Sequence, residues 1–478
     1  MLVENEIEAG HPEIIPSGAG WGDLLTPRHL VSTIMLCLGV ALFAFNEFFV
    51  STAMPSAVNE LGRPWLLAWA FTVYLVLAII GGALAAHLKG RFGARVTLVS
   101  ATIVFAAGTL SACFASHWAY LLIGRLLQGL GEGITIALCY ALIPELFPKQ
   151  LVAKVFGSEA IAWAAAAFGG PLIAGLLTEY VSWRAAFASS LPAAAIFIVL
   201  VLIMVPRDLR SNSGSVSIPA LRLLLIGAGV LMISVSSAMT DVSIIVLLLL
   251  AAAMSLLLFV RVDHKSAQAI LPRNAFSARR LPGAGLWVIL LMPFASAASA
   301  VYLVYGLQTI WGLSPAEAGL SGAVMALSWS FSAILVASIR SDERRQSLIP
   351  LGPVLLALGI GVVILALVVD QFWLVYPGQL IVGIGFGVSW GTLSQLLMDR
   401  ASDSERDKSS ALLPTLQSAG YAFGGAVFGL IANVAGLKEG LAGPEVRSVL
   451  LPVFVVGLAV ALISGLFGFR AVRLVMRR

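Results

Sequence analysis

The chain has 478 residues, of which 59% are hydrophobic and only 11% are charged. Soluble domains carry about 25% charged residues, so this composition excludes an ordinary soluble enzyme, a disordered tail and a nucleic-acid-binding module. The net charge of +5 reflects basic residues, which membrane proteins concentrate in the loops on the cytoplasmic side. The sequence therefore predicts an integral membrane protein.

Fourteen stretches are apolar and long enough to cross a bilayer, which takes roughly 20 residues in a helix. Backbone groups in lipid must hydrogen-bond within their own segment, so these stretches are predicted to be α-helices and the fold class all-α. The predicted spans are 30–53, 66–88, 96–115, 118–141, 154–177, 185–205, 220–238, 242–261, 283–307, 317–339, 347–369, 373–397, 409–434 and 447–470.

The basic residues divide unequally between the two sides of these spans. Of the 29 Lys and Arg residues, Arg125 falls in the interior of a span, away from its ends, and only four fall on the side opposite the termini. Those four are Arg63, Arg184, Lys438 and Arg447. Because cytoplasmic loops carry the excess of Lys and Arg, the tally predicts fourteen spans with both termini in the cytoplasm.

The longest polar connections, 206–219 and 262–282, flank the seventh and eighth spans. Two six-helix halves around a central site are a common transporter plan, and two extra helices between the halves fit this pattern. The predicted organisation is a cytoplasmic tail at 1–29, a first half at 30–205, a linker with spans seven and eight at 206–282, a second half at 283–470 and a basic tail at 471–478.

Four ionisable residues inside the spans are candidates for proton coupling, because charge in hydrocarbon is costly and usually functional. Arg125 and Glu132 lie two turns apart on the fourth span and share a face. Glu47, on the first span, lies at a similar depth to Arg125 and could pair with it. Glu159 lies near the cytoplasmic end of the fifth span. The alternative interpretation is a packed, permanently neutral acid for Glu132 and Glu47, and a hydrated side chain without a role in coupling for Glu159.

A second set of residues is suited to binding an amphipathic or cationic substrate through polar contacts, stacking and cation–π interactions. Its aromatic members could instead face lipid or pack in the core, since a span alone does not define which side faces inward. The candidates are Asn46, Gln128, Trp163, Phe294, Tyr302, Gln308 and Trp329.

Several motifs occur in an order that resembles the major facilitator superfamily, and its fourteen-helix drug:proton antiporter branch in particular. Arg125 to Gly131 reads Arg-x-x-Gln-Gly-x-Gly, and Gly157 precedes a Gly-Pro-Leu-Ile-Ala-Gly run at Gly170 to Gly175. Trp183 to Phe187 opens the sixth span, and Tyr305 to Gly319 carries Tyr-Gly-Leu-Gln followed by Gly-Leu-Ser-Pro-x-x-Ala-Gly. The resemblance covers about residues 30 to 470 and implies two transporter halves.

The sequence has alanine at Ala166 and Ala174 where the Gly-Pro motif has glycine, and two further departures from the family pattern bear on the mechanism. The loop Leu88 to Arg95 has Gly90 where the family usually has an aspartate, which weakens the expected inner latch. Asn46 occupies the position of the branch's helix-one aspartate, with Glu47 beside it. The resemblance still implies a conformational role for seven residues. These are Arg91, Gly93, Arg95, Gly157, Gly170, Pro171 and Gly175.

The resemblance implies a proton-coupled exporter of amphipathic or cationic molecules that works by alternating access in the inner membrane. Its partners would be a small-molecule substrate, protons and membrane lipids, and the chain is expected to be a monomer. A phosphate-binding loop and paired metal-ligand motifs are absent from the sequence, so no cofactor or metal is expected. An importer, uniporter or lipid transporter on the same fold, or a non-transporting membrane receptor, remains an alternative.

Overall fold

The computed structural model describes residues 21–62, 67–207, 220–239, 241–266, 275, 277, 279–339, 341–399, 403–438 and 440–476. Three predicted features lie wholly or largely outside these residues. They are most of the tail at 1–29, the polar connection at 206–219, and much of the connection at 262–282. The last two residues of the basic tail at 471–478 also fall outside.

The described residues form sixteen α-helices and two short 3-10 turns, with no strand among them. The helices are α1 (Pro27–Glu60), α2 (Leu67–Phe92), α3 (Ala94–Cys113), α4 (Trp118–Leu146), α5 (Lys149–Tyr180), α6 (Trp183–Ala188), α7 (Ser190–Met204), α8 (Ala220–Ser237), α9 (Val242–Lys265), α10 (Leu281–Trp311), α11 (Pro315–Ala337), α12 (Asp342–Ser347), α13 (Leu351–Val369), α14 (Val375–Asp399), α15 (Asp403–Val434) and α16 (Gly443–Met476). The predicted all-α fold class is confirmed.

Thirteen segments of the described chain are helical, long and apolar enough to cross a membrane. One of them, Trp183–Met204, joins α6 and α7 into a single predicted span. The remaining predicted span, 409–434, lies within α15, a helix of 32 residues that is less apolar than the other long helices. The structure therefore confirms a multi-pass membrane protein, and the side on which the termini lie stays a prediction.

Local sequence signals explain where several helices begin and end. Gly312 ends α10 with φ 66, a left-handed conformation that favours glycine. The Ser314 hydroxyl accepts from the Glu317 amide, and the Glu317 carboxylate accepts from the Ser314 amide. This capping box starts α11. Gly93 has φ 84 and separates α2 from α3, so the conformation of this tight turn suits a glycine.

The helices pack in two groups. In the first, α4 packs against α2 and α3, and α1 packs against α5; in the second, α10 packs against α15 and α16, and α14 packs against α11 and α13. Helices α8 and α9 pair as a hairpin, and α8 also packs against α2 and α15. The largest contacts between the two groups are those of α5 with α11 and of α2 with α15.

The close approaches between the groups lie near one end of the helices. We call the side on which α1 begins and α2 ends the tail side, and the opposite side the far side. A Cβ added at Gly175 of α5 would lie 2.3 Å from the Cα of Ala316, at the start of α11. A Cβ added at Gly429, near the end of α15, would lie 2.7 Å from the Cβ of Ala68. These backbones meet closely in the far-side half of the protein.

Candidate functional site

Two polar side chains meet between α1 and α4 in the interior of the first group. The Nδ2 of Asn46 donates a hydrogen bond to the Oε2 of Glu132 over 2.8 Å. Glu132 is 3% exposed, and its Oε1 is buried without a hydrogen-bond partner. A buried carboxyl with one unpaired oxygen is costly, because each buried polar atom loses its bonds to water. This group can be satisfied by a proton, a water or a substrate.

Arg125 lies on the same helix and is held by neutral groups. Its Nε donates to the backbone oxygen of Ala70 over 3.1 Å, and its Nη1 donates to the Oε1 of Gln128 over 2.8 Å. The guanidinium carbon lies 4.0 Å from the ring centroid of Tyr74. Gln128 in turn donates to the hydroxyl of Thr109 over 3.0 Å. The amide of Gln128 is thus occupied in orienting the arginine.

Glu47 is half-buried and neighbours this cluster without an ion pair. Its carboxyl lies within electrostatic range of Arg125, Glu132 and Tyr74. The pairing of Glu47 with Arg125 considered from the sequence is not among the ion pairs formed by the described residues. The two acids and the arginine therefore form an electrostatic cluster in which the carboxylate of Glu132 accepts a hydrogen bond from Asn46.

Glu159 lies apart from this cluster, closer to the tail side. It is 2% exposed, and both of its carboxylate oxygens are buried without hydrogen-bond partners. Its carboxyl lies within electrostatic range of Cys37 of α1 and of Cys139 and Tyr140 of α4. Cys139 is seven residues, or about two turns, beyond Glu132. The structure thus places the third predicted acid in a separate position between the same helices.

The predicted aromatic and polar lining residues fall in several places. Trp163 packs edge-on against Phe43, with ring centroids 5.8 Å apart, near the first group's acids. The Nε2 of Gln308, at the far-side end of α10, donates to the backbone oxygen of Thr52 over 3.5 Å. Gln308 therefore joins the two groups on the far side.

The remaining three lie in the second group. Phe294 packs edge-on against Phe428, with centroids 5.6 Å apart. Tyr302 is fully buried, and its hydroxyl has no hydrogen-bond partner. Trp329 is half-buried and stacks on Phe386 with centroids 4.7 Å apart. The structure does not gather the predicted lining residues into one contact cluster.

The predicted loop residues on the tail side have different environments. Arg91 is exposed, and its guanidinium lies 5.3 Å from the ring centroid of Phe92. The Nε of Arg95 is buried without a partner. Sequence reasoning missed the ion pair beside them, in which Lys89 at the end of α2 binds Glu145 at the end of α4. The position of Lys89 in the last turn of a helix was a weak signal, because its partner is distant in sequence.

The Gly-Pro motif of α5 lies at helix contacts. A Cβ at Gly170 would lie 2.8 Å from the Cβ of Phe48 on α1. Pro171 lies against Gly319 of α11, whose added Cβ would be 3.1 Å from the proline Cβ. Gly157, closer to the tail side, is half-buried. Together with Gly175, these residues let α5 approach both α1 and α11.

A buried ion pair in the central hairpin was also missed. The Nη1 of Arg222, near the start of α8, lies 2.7 Å from the Oδ1 of Asp263 on α9. Both side chains are almost fully buried. The sequence analysis did not single out Arg222, which lies close to the boundary of the predicted span 220–238. The ion pair connects the tail-side ends of α8 and α9.

Two charged clusters on the far side were not predicted either. The first joins α1 to α6: Glu60 accepts from Arg184 over 2.7 Å and from the indole of Trp183 over 2.6 Å. The second joins the ends of α10 and α13 to the start of α16. There, Asp370 binds Arg447 and accepts from the indole of Trp311 over 2.7 Å. The hydrogen bond from Arg447, followed in size by the one from Trp311, lowers the pKa of Asp370.

The chain belongs to the major facilitator superfamily, whose family model matches residues 36–425. It is 30% identical over 430 residues to a probable multidrug-efflux transporter of Mycobacterium tuberculosis, a match that covers 87% of this chain and 90% of the relative. It is 26% identical over 176 residues to the multidrug efflux pump SdrM of Staphylococcus aureus, covering 37% of this chain and 39% of the pump. The resemblance inferred from the motifs is confirmed.

Solved structures have the same fold at low sequence identity. A peptide transporter POT in complex with sulfate gives a TM-score of 0.65 at 15% identity, covering 93% of this chain and 95% of that chain. A D-xylose-proton symporter gives 0.63 at 18% identity, covering 91% and 97%. Family and fold together define the chain as a multi-pass membrane transporter.

Proposed function

We propose that this transporter exports amphipathic or cationic small molecules across the inner (cell) membrane in exchange for protons. The names of the Mycobacterium tuberculosis and Staphylococcus aureus relatives support drug efflux. The excess of Lys and Arg on the tail side supports an orientation with both termini in the cytoplasm. The protein would work as a monomer, with membrane lipids around it and no nucleic-acid partner.

The charge balance of the cluster supports proton coupling. Glu47 and Glu132 share one nearby guanidinium, that of Arg125, whose hydrogen bonds go to neutral groups. If both acids lose their protons, the three residues carry a net negative charge in a medium that penalises unpaired charge. A proton or a cationic substrate restores the balance. The two ligands would therefore compete for the same cluster.

The observation that carries the proposal is the environment of Glu132. One of its carboxylate oxygens is held by Asn46, and the other is buried and unpaired. In the proposed cycle Glu132 releases a proton to the cytoplasm when substrate binds and takes one from outside when substrate leaves. Glu47 and Glu159 would carry or relay protons in the same pathway, and Arg125, oriented by Gln128, would tune their acidity.

The conformational change would be a rocking of residues 30–205 against residues 283–470, with the central linker at 206–282 between them. The close far-side contacts of α5 with α11 favour assigning this structure to a state open toward the tail side. The loop and glycine residues would permit the movement. They are Arg91, Gly93, Arg95, Gly157, Gly170, Pro171 and Gly175.

Substrate would contact both groups of helices during the cycle. Trp163 lies near the acids of the first group, while Phe294, Tyr302 and Trp329 lie in the second. Asn46 and Gln308 would add polar contacts through their amide groups, which also hydrogen-bond to another helix. Aromatic faces suit cationic and flat apolar molecules.

The test is transport by purified protein in liposomes with an imposed pH gradient. Ethidium uptake into vesicles that are acidic inside should be rapid for the wild type and lost in Glu132→Gln. Glu343→Gln is the matched control, because Glu343 is exposed on α12. Full gradient-driven uptake by Glu132→Gln would contradict the proposed role. Substrate movement that ignores the gradient in the wild type would favour a uniporter or lipid carrier instead.

A further inference from the structure

Helices α4 and α14 carry glycines in the same spacing. The first set is Gly124, Gly129, Gly131 and Gly133, and the second is Gly378, Gly383, Gly385 and Gly387. All eight lie against the backbone or side chains of a neighbouring helix. The two helices therefore contact their neighbours with matching surfaces, although the rest of their sequences differ.

The neighbours that these glycines touch also correspond. A Cβ at Gly133 would lie 2.1 Å from the backbone oxygen of Ala78 on α2. A Cβ at Gly387 would lie 2.4 Å from the backbone oxygen of Trp329 on α11. Ala78 on α2 and Trp329 on α11 therefore occupy equivalent positions, the first against α4 and the second against α14.

A third helix in each group, α3 in the first and α13 in the second, also makes equivalent contacts. A Cβ at Gly131 would lie 2.5 Å from the backbone oxygen of Ala101 on α3, and a Cβ at Gly385 would lie 2.6 Å from that of Gly352 on α13. The unit of α2, α3 and α4 is therefore repeated as α11, α13 and α14. This repeat relates individual residues of the two groups.

Under this relation the charged cluster has an uncharged counterpart. Arg125 follows Gly124 directly, as Gln379 follows Gly378; Glu132 lies between Gly131 and Gly133, as Phe386 lies between Gly385 and Gly387. Gln379 is buried and donates to the hydroxyl of Ser299 over 3.3 Å. Where the first group has an arginine and an acid, the second has an amide and a phenyl ring.

Phe386 is the centre of an aromatic cluster. Trp329 stacks on it at 4.7 Å between centroids with an interplanar angle of 25°. Trp390, one turn farther along α14, lies 5.9 Å from Phe386 and 6.2 Å from Trp329. Phe386 is fully buried, whereas both tryptophans are only half-buried. Part of each indole surface is therefore free to contact another group.

We propose that Trp329, Phe386 and Trp390 form a subsite for the planar aromatic part of the substrate, at the place in the second group that corresponds by the repeat to the acid cluster, and that the acids take the positive charge of the substrate. The assignment rests on the proposed function and narrows its substrate class to flat aromatic cations. Charge complementarity favours this occupant, because the acids of the first group supply negative charge and the second group supplies stacking surface.

The test compares binding of two monovalent cations to purified full-length protein by titration calorimetry in detergent. Ethidium is planar and aromatic, and tetrapentylammonium is apolar without a ring. Trp329→Leu should weaken ethidium binding roughly tenfold and leave tetrapentylammonium binding within about twofold, since only ethidium can stack. Trp329→Phe should retain most of the ethidium affinity. Trp373→Leu is the matched control, because Trp373 is exposed on the far side.

Equal losses for the two cations in Trp329→Leu, or no loss for either, would overturn the subsite, as would a wild type that does not bind ethidium. The proposed export fails on a different result, namely the absence of gradient-driven flux in liposomes. If no flux were found but Trp329→Leu selectively lost ethidium binding, the subsite would still be supported.

Discussion

Asn46 on α1 donates a hydrogen bond to Glu132 on α4, and this contact links the two helices inside the first group. The amide stands where the drug:proton antiporter branch that the motifs resemble has an acid, so the proposed exchange mechanism assigns the proton to Glu132 on α4 rather than to residue 46 of α1. The carboxyl keeps one oxygen unpaired, which leaves a place for a proton.

Asn46→Ala should uncouple transport from the proton gradient. The change removes the amide that donates to Glu132 and leaves its Oε2 without this partner, at a cost of about 1–3 kcal/mol. We expect gradient-driven ethidium export in liposomes to fall about tenfold or more. Asn59→Ala is the control, because Asn59 is exposed on the same helix. Equal gradient-driven export by Asn46→Ala and Asn59→Ala would show that proton coupling does not need the hydrogen bond from Asn46.

Gly175→Leu should open the far side. A side chain at Gly175 collides with the backbone of Ala316, so the close packing of α5 on α11 becomes unfavourable. Spin labels at Tyr180 and Leu320, both exposed, would report the separation of these helices in a variant without Cys37, Cys113 and Cys139.

The distance distribution between these labels should shift toward longer values in Gly175→Leu. It should stay unchanged in Gly361→Leu, a control in α13, because nothing lies within 4 Å of a Cβ at Gly361. An unchanged distribution in well-folded Gly175→Leu would argue against a far-side closure that depends on this glycine.

Acid should weaken the far-side cluster around Asp370. Hydrogen bonds from Arg447 and Trp311 hold the pKa of Asp370 below its ordinary value of 3.8. A carboxyl group with a lower pKa in the folded state stabilises the fold above its unfolded pKa, and this contribution is lost as the pH falls through the folded value. The melting temperature of the wild type should therefore drop more steeply below about pH 4 than that of Asp370→Asn.

Asparagine is a suitable replacement because Asp370 has φ 58, a conformation that asparagine tolerates. Arg447→Gln should flatten the acid dependence in the same way, since it removes the main hydrogen-bond donor. Parallel melting curves for the wild type and both variants would refute a stabilising role for the ionised Asp370.

Apolar length and charge placement were enough to predict the helices, because each span must satisfy its backbone within itself. They also identified Arg125 and Glu132, since charge in a span stands out. The partners of these residues were not predictable. Gln128 accepts a hydrogen bond from Arg125 and donates one to Thr109 on α3. The second of these contacts depends on how α3 and α4 pack.

The same limit explains the missed ion pairs. Lys89 and Glu145, like Arg222 and Asp263, are distant in sequence and meet only after the helices have packed. Trp329 was predicted as a lining residue, but its stacking on Phe386 depends on the packing of α11 against α14.

The most direct test of the central claim is proton release from purified protein in weakly buffered detergent solution near neutral pH, titrated with ethidium. If substrate and proton compete at Glu132, the wild type should release protons as ethidium binds, and Glu132→Gln should bind ethidium with a much smaller release. Saturable binding to the wild type without any proton release would contradict the exchange mechanism.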